Sequence, residues 1–146
     1  MTVGDVFLWR GYPYSATGEI KDRWFIYLGT YSEDPFSEAF LLIPTTTTQL
    51  HYYEPGGSRY SHQFVRFCPS DGFGFEAECV ADFDDVFYDT PQTQFNSFVE
   101  RGDITVKGRI NRCSVLKQIN NAIKKSRDID RYIKHSVEKN LRLAGC

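Results

Sequence analysis

The feature that most constrains the fold is a pair of short apolar runs, residues 23–28 and 40–49, separated by a polar loop. Each run is rich in β-branched and aromatic residues and is bounded by turn residues or charge, as is typical of a buried strand. If the two strands are neighbours, the guanidinium of Arg23 approaches the hydroxyls of Thr45–Thr48. Arginine offers a planar fork of donors with a permanent charge, and threonine adds a neutral donor. The sequence therefore predicts two strands whose polar ends suit a phosphate if they meet.

Composition predicts an ordinary globular domain. The chain has 146 residues, of which 41% are hydrophobic and 25% charged, and this balance fits one domain over residues 1–146. No apolar run approaches the length of a membrane span, and the first residues lack a basic and an apolar signal region. We expect a cytoplasmic protein with no membrane partner.

Four cysteines lie far apart in the sequence, at Cys68, Cys79, Cys113 and Cys146. None forms a C-x-x-C pair, and no histidine lies beside one at the spacing of metal ligands. Without an export signal we expect reduced thiols. We predict no metal site and no cofactor.

Charge is divided unevenly along the chain. Residues 1–100 hold 5 Lys/Arg and 15 Asp/Glu, a net charge of −10, whereas residues 101–146 hold 12 and 4, a net charge of +8. The split predicts a basic face on the C-terminal segment. Either the two halves simply attract each other, or the basic face docks an acidic partner or a nucleic-acid backbone.

The remaining pattern predicts several short strands followed by helices. The strand over residues 75–88 carries a polar outer face that includes Asp82. Turn residues at 54–58 indicate a tight reversal, and Gly102 closes a short helix that begins near Thr90. Further strands are expected over residues 3–9, 63–68 and 104–110. Ser114 is expected to be the N-cap of a helix whose apolar residues fall on one face, namely Val115, Leu116, Ile119, Ala122 and Ile123. A second helix is expected from Asp128, with an apolar stripe of Ile129, Tyr132, Ile133, Val137 and Leu141. The fold class is mainly β with C-terminal helices (α+β), with a small barrel and inserted loops over residues 1–112 and a helical segment over 113–146.

Four fragments occur in an order that resembles a known family. They are Gly4-Asp5-Val6, Gly18-Glu19 followed by Arg23, the Pro44–Gln49 segment, and residues 106–110 running into the Ser114 helix. Together they resemble the MazF/PemK family of toxins. Trp24 replaces the family's usual proline, and the loop over residues 52–62 is longer than usual.

The resemblance implies a small SH3-like barrel of the MazF/PemK/CcdB type, a homodimer, that cleaves single-stranded RNA without a metal and is neutralised by an antitoxin protein. Arg23 matches the family's catalytic arginine and Glu19 its loop glutamate, the expected base. Thr46 matches the catalytic threonine when counted from Pro44, although one extra residue before Gln49 makes Thr47 the alternative.

The candidates for RNA binding lie on and beside the reversal. His51 and His62 flank it, and either is a candidate proton donor. Tyr52 and Tyr53 are candidates for base stacking because this loop is not expected to be buried. Together with Thr47, these four are the predicted RNA-binding residues. The alternative function is a non-catalytic protein-binding module on the same barrel, whose basic helical end docks a protein. Without the resemblance, Arg23 would be a solvated residue at the start of a strand.

Overall fold

A computed structural model describes residues 1–15, 17–34, 37–84 and 88–146. It is an α+β fold of antiparallel sheets with three helices. The strands are β1 Asp5–Tyr12, β2 Lys21–Asp34, β3 Ser37–Pro44, β4 Phe64–Phe67, β5 Cys79–Asp82, β6 Tyr88–Pro91 and β7 Ile104–Arg109. The helices are α1 Gln92–Glu100, α2 Cys113–Lys125 and α3 Arg131–Leu143, with short 3₁₀ helices at Leu50–Tyr53 and Pro69–Asp71. The predicted α+β class with C-terminal helices is confirmed.

Two separate sheets organise the strands. The main sheet has the order β6-β3-β2-β1-β7, and β4 pairs with β5 in a second sheet. The strands of the described residues do not close into a barrel. The sheets are linked by Thr46 and Val80, whose backbones exchange N–H···O bonds of 2.9 and 3.0 Å.

The central strands are apolar on both faces because both faces of the main sheet are covered. Side chains alternate along β2, so Ile26 and Leu28 face the second sheet with α2 and α3, whereas Phe25 and Tyr27 face α1. All four are at most 5% exposed. Burying side chains of this size stabilises the fold by roughly 1.5–3 kcal/mol each. This two-sided burial explains why β2 has a continuous apolar run.

Helix α3 is fixed to a bulge in β2. The register between β2 and β3 shifts between Tyr27 and Thr30, and Gly29 in between adopts a φ of +97°. Asn140 on α3 donates its side-chain amide to the carbonyls of Leu28, at 3.1 Å, and Thr30, at 2.9 Å. A Cβ at position 29 would lie 2.3 Å from that amide nitrogen, so the contact requires glycine.

Several local predictions need correction. The predicted loop at 30–38 is mostly strand, since β2 continues to Asp34 and β3 begins at Ser37; residues 35–36 lie outside the described residues. The third strand ends at Pro44, before the threonine run. The predicted strand over 75–88 contains only β5 and the first residue of β6, and residues 85–87 of it also lie outside the described residues.

The helices follow the predicted periodicity with two exceptions. The buried residues of α2 are Leu116, Ile119, Ala122 and Ile123, as the 3.6-residue period requires. The expected N-cap at Ser114 is wrong because α2 begins at Cys113 and its N-cap is Arg112. In α3, Tyr132 is 72% exposed and does not belong to the buried stripe.

The cysteine prediction is wrong for two of the four thiols. Cys113 and Cys146 form a disulfide that joins the start of α2 to the segment after α3, across 33 positions of sequence. Cys68 and Cys79 are reduced. No helix in the described ranges is long and apolar enough to cross a membrane.

Candidate functional site

A small solvent-open hollow lies where the main sheet meets the second sheet. Its volume is about 90 Å³. We call it the polar hollow, and it is lined by Arg23, Pro44, Thr45, Thr46, Tyr53, Arg59, Val80 and Asp82. Arg23 and Thr46 therefore meet in one hollow, and this predicted juxtaposition is confirmed; their chemical roles stay predictions.

Strand pairing brings these side chains together. Phe25 of β2 pairs with Pro44 of β3, and one step further the Thr45 N–H donates to the Trp24 carbonyl at 2.9 Å. The next pair in this register is Arg23 and Thr46, whose side chains lie on the same side of the strands. Asp82 reaches the hollow because it lies two positions after Val80, the partner of Thr46, and alternate residues of a strand share a face.

The alternation also distinguishes Thr46 from Thr47. Thr47 lines a second hollow of about 250 Å³, which we call the apolar hollow. Its lining is Trp24, Thr45, Thr47, Phe75, Glu76, Ala77 and Cys79. Of the two threonines that the sequence left open, Thr46 is the one beside Arg23.

Asp82 is the centre of the polar hollow's hydrogen bonding. It is only 6% exposed, although the sequence predicted it on a polar outer face. Its Oδ2 accepts from the hydroxyl of Tyr53 at 2.8 Å and faces Nδ1 of His62 at 2.7 Å. Its Oδ1 accepts from the backbone N–H of Asp84 at 2.9 Å. A buried carboxylate needs such partners to offset its lost hydration.

Tyr53 is held in its neutral form. Burial raises the pKa of its phenol to about 12, against the opposing effect of a hydrogen bond from Arg59. The Arg59 Nη1 lies 3.3 Å from the phenol oxygen. The hydroxyl therefore remains a donor to Asp82 at neutral pH. The expectation that Tyr53 lies on an unburied loop is wrong, since it is 2% exposed.

His62 is oriented by Asp82. A carboxylate only accepts, so the imidazole donates from Nδ1, and Nε2 is the nitrogen left for proton exchange with a ligand. The side chain is 31% exposed, whereas Asp82 is buried beneath it. A buried carboxylate behind a partly exposed histidine fixes the tautomer and the orientation of the imidazole.

The charges of the hollow favour an anion. Two guanidiniums, Arg23 and Arg59, line it together with one carboxylate, Asp82, which is already engaged by Tyr53 and His62. A guanidinium matches the geometry of a phosphate with two parallel N–H donors. Within the described part of the chain, no group of three or more His, Cys, Asp or Glu is placed to hold a metal ion.

Besides Thr47, four predicted site residues are not part of the hollow's lining: His62, which reaches it only through Asp82, and Glu19, His51 and Tyr52. The Glu19 side chain is 65% exposed and 4.0 Å from Lys21, so it lacks the burial that its role as a base required. His51 is exposed on the first 3₁₀ helix, with its ring 4.3 Å from that of Tyr52. Tyr52 in turn lies beneath the guanidinium of Arg59, 5.9 Å from its ring centroid.

Sequence reasoning missed Arg59 and Asp82. Arg59 lies in the reversal that the turn residues predicted, and its position two residues after Gly57 gave no sign of a role. Asp82 is preceded by the apolar residues Val80 and Ala81, which is the signal that its strand is buried. No protein-family model matches this chain, and no curated protein is similar to it.

Proposed function

We propose that this protein is a toxin-type endoribonuclease that cleaves single-stranded RNA without a metal ion. The observation that carries the proposal is that Arg23, Arg59 and Thr46 line one hollow with Asp82, whose buried carboxylate also contacts Nδ1 of His62. Proton transfer and stabilisation of phosphate charge are the two tasks of such a reaction, and one small site holds groups suited to both.

In the proposed reaction the ribose 2′-oxygen attacks the adjacent phosphorus, and the bond from phosphorus to the 5′-oxygen breaks. Nε2 of His62 takes the 2′-hydroxyl proton, and Asp82 stabilises the imidazolium. Water protonates the leaving 5′-oxygen, and the imidazolium returns its proton to the hydroxide so formed. The products are a 2′,3′-cyclic phosphate and a 5′-hydroxyl.

Arg23 and Arg59 stabilise the negative charge that develops on the phosphoryl oxygens, because fixed cations need no reorganisation during the reaction. Arginine is a poor proton donor since its pKa lies above about 12. The hydroxyl of Thr46 donates to the carbonyl of Thr48 at 3.3 Å, and in the proposed complex it exchanges this bond for one to a non-bridging oxygen. His62 replaces Glu19 as the base in this proposal.

The resemblance to the MazF/PemK toxins adds further parts to the proposal. These are an SH3-like barrel type, a homodimer, an antitoxin protein that neutralises the activity, and a cytoplasmic location. The meeting of Arg23 with Thr46 in one hollow supports the resemblance. The barrel type and the other three parts rest on the resemblance alone, since the strands of the described residues do not close into a barrel.

The decisive experiment is cleavage of a single-stranded RNA in EDTA by the purified protein. We expect a 2′,3′-cyclic phosphate product and no cleavage when the 2′-hydroxyl at the cut site is absent. Arg23→Ala should lower the rate by about 10²–10³-fold. Lys21→Ala is the matched control, because Lys21 lies two residues earlier in the same strand and outside the hollow's lining. Equal rates for the two variants would remove Arg23 from the reaction.

A non-catalytic protein-binding module is the second candidate. The net charge of +8 over residues 101–146 favours it, because a basic surface attracts an acidic partner. Under this alternative, folded wild-type protein would leave every single-stranded RNA uncut.

A further inference from the structure

A groove begins beside the polar hollow and runs along α2. Its volume is about 440 Å³. One wall is the strand entry at Gln63 and Phe64, and the other is a helix face that includes Lys117, Gln118, Asn121 and Lys125. We call it the basic groove.

Helix periodicity explains why this face is polar. Lys117, Asn121 and Lys125 recur every four residues and form one stripe, whereas Leu116, Ile119 and Ile123 form the buried stripe. At a rise of about 1.5 Å per residue, the two lysines are about 12 Å apart along the axis. That length accommodates more than one phosphate group.

The charge of the groove is unbalanced. No carboxylate is among its lining residues in the described part of the chain, and neither Lys117 nor Lys125 forms an ion pair with a described residue. Lys124, by contrast, is paired with Glu138 at 2.7 Å on another side of the helix. The groove therefore presents two cations to an incoming chain.

The neutral residues of the groove favour a nucleic acid over an acidic peptide as its ligand. The side-chain amides of Gln63, Gln118 and Asn121 each offer donors and acceptors, which suits the edges of unpaired bases. The half-buried Phe64 offers an aromatic ring for stacking. Phosphate-binding cations beside amides and an aromatic ring are the features that bind a single strand.

The groove lies near the polar hollow, although the two share no lining residue among the described residues. Gln63 directly follows His62 in the chain, so their Cα atoms are about 3.8 Å apart. The ring of Phe64 lies 5.0 Å from that of Tyr53, which lines the hollow. A strand whose scissile phosphate occupies the hollow would reach the groove with its next nucleotides.

We infer that the basic groove binds the single-stranded RNA that flanks the scissile phosphate. This inference rests on the proposed function for the identity of the ligand. Lys117 and Lys125 contact phosphates, and the three amides contact bases, so the groove contributes affinity and sequence preference rather than chemistry.

Binding of a fluorescent ten-nucleotide 2′-O-methyl RNA tests this without cleavage. The double variant K117A/K125A should weaken binding at least about 10-fold and reduce the slope of log Kd against log salt by about 1.4, since each phosphate contact on a single strand contributes about 0.7. The control is R131A/K139A, which removes the same charge from exposed positions of α3 outside the groove. We expect wild-type binding from the control.

An equal loss in both double variants, or no binding of the RNA by the wild type, would overturn the inference. Tighter binding of poly-glutamate than of RNA, lost in K117A/K125A, would also overturn it and indicate an acidic protein partner. Cleavage of a dinucleotide separates the two proposals, because it needs only the hollow. A wild type that leaves the dinucleotide uncut contradicts the proposed nuclease, whereas the RNA-binding comparison still decides whether the groove binds a single strand.

Discussion

The polar and apolar hollows lie on opposite sides of the same short piece of β2 and the threonine segment, yet their chemistry differs. Arg23 and Thr46 face the polar hollow, whereas Trp24 and Thr47 face the apolar one. On the polar side a buried carboxylate, Asp82, is fully engaged in hydrogen bonds. A single strand can therefore separate a chemical site from a packing site through its alternation alone.

The titratable groups of the two hollows show the difference. Burial raises the pKa of the Cys79 thiol in the apolar hollow to about 12, so that the thiol is neutral and unreactive at physiological pH. The pKa of Tyr53 in the polar hollow is raised to about 12 as well, but its hydroxyl donates a hydrogen bond to Asp82. Burial inactivates the first group, whereas it makes the second a fixed donor that positions the carboxylate behind His62.

The largest expected effect is on the polar side. His62→Gln should lower the rate of RNA cleavage by about 10²–10⁴-fold, because the variant lacks the group that exchanges the proton. The melting temperature should change little, because the side-chain amide of glutamine also carries an N–H donor for Asp82. Initial rates in EDTA measure the effect, with His51→Gln as the control on the other histidine of the same loop. Full activity of His62→Gln would end its assignment as the base.

On the apolar side the expected effect is on stability. Trp24→Ala should lower the free energy of unfolding by about 2 kcal/mol, because a half-buried indole beside Phe75 is lost. Urea denaturation measures the change. Because Trp24 and Arg23 face opposite sides of the strand, cleavage per folded molecule should stay within about 2-fold of wild type. A loss of activity as large as that of Arg23→Ala would show that the two sides are not independent.

Tyr53→Phe tests the buried hydrogen bond to Asp82 in the polar hollow. Removing the hydroxyl deprives Asp82 of one donor and should cost about 1 kcal/mol of stability at pH 8. The folded pKa of Tyr53, about 12, lies above the ordinary value of 10.0. Its contribution is therefore present below pH 10 and is lost as the pH rises toward 12.

Unfolding of wild type and Tyr53→Phe should be compared at pH 8, 10 and 11. The stability difference between them should shrink with rising pH. Tyr60→Phe is the control, since Tyr60 is 53% exposed. A difference that is constant over this range would contradict the role of the buried phenol.

The smallest effect separates two neighbouring threonines. Thr46→Val should lower the cleavage rate by about 10-fold, the value of one hydrogen bond, whereas Thr47→Val should leave it unchanged. Steady-state kinetics on the same RNA measure both variants. A larger loss of rate in Thr47→Val than in Thr46→Val would place the reacting phosphate on the side of the apolar hollow.

The sequence predicts the parts of the molecule that depend on local pattern. The two-sided apolar run of β2 and the period of α2 are visible in the residues themselves, and both are confirmed. Arg23 was expected to approach the hydroxyls of Thr45–Thr48 if the two strands are neighbours. That argument needs only the pairing of β2 with β3.

Burial of polar residues was not predictable in this way. Asp82 is buried because Tyr53, 29 residues earlier, and His62, 20 residues earlier, both reach its Oδ2. Such long-range contacts leave no periodic signal, so Asp82 looked like one of several acidic residues on an outer face. The Cys113–Cys146 disulfide also leaves no periodic signal, because it depends on how α3 packs against α2.

The disulfide makes residues 113–146 a covalent ring that contains both C-terminal helices. Arg127 is exposed in the connection between them. A single tryptic cut after Arg127 would therefore open the ring without releasing a fragment. The nicked chain would migrate at full mass on a denaturing gel and separate into two pieces only after a thiol reagent is added.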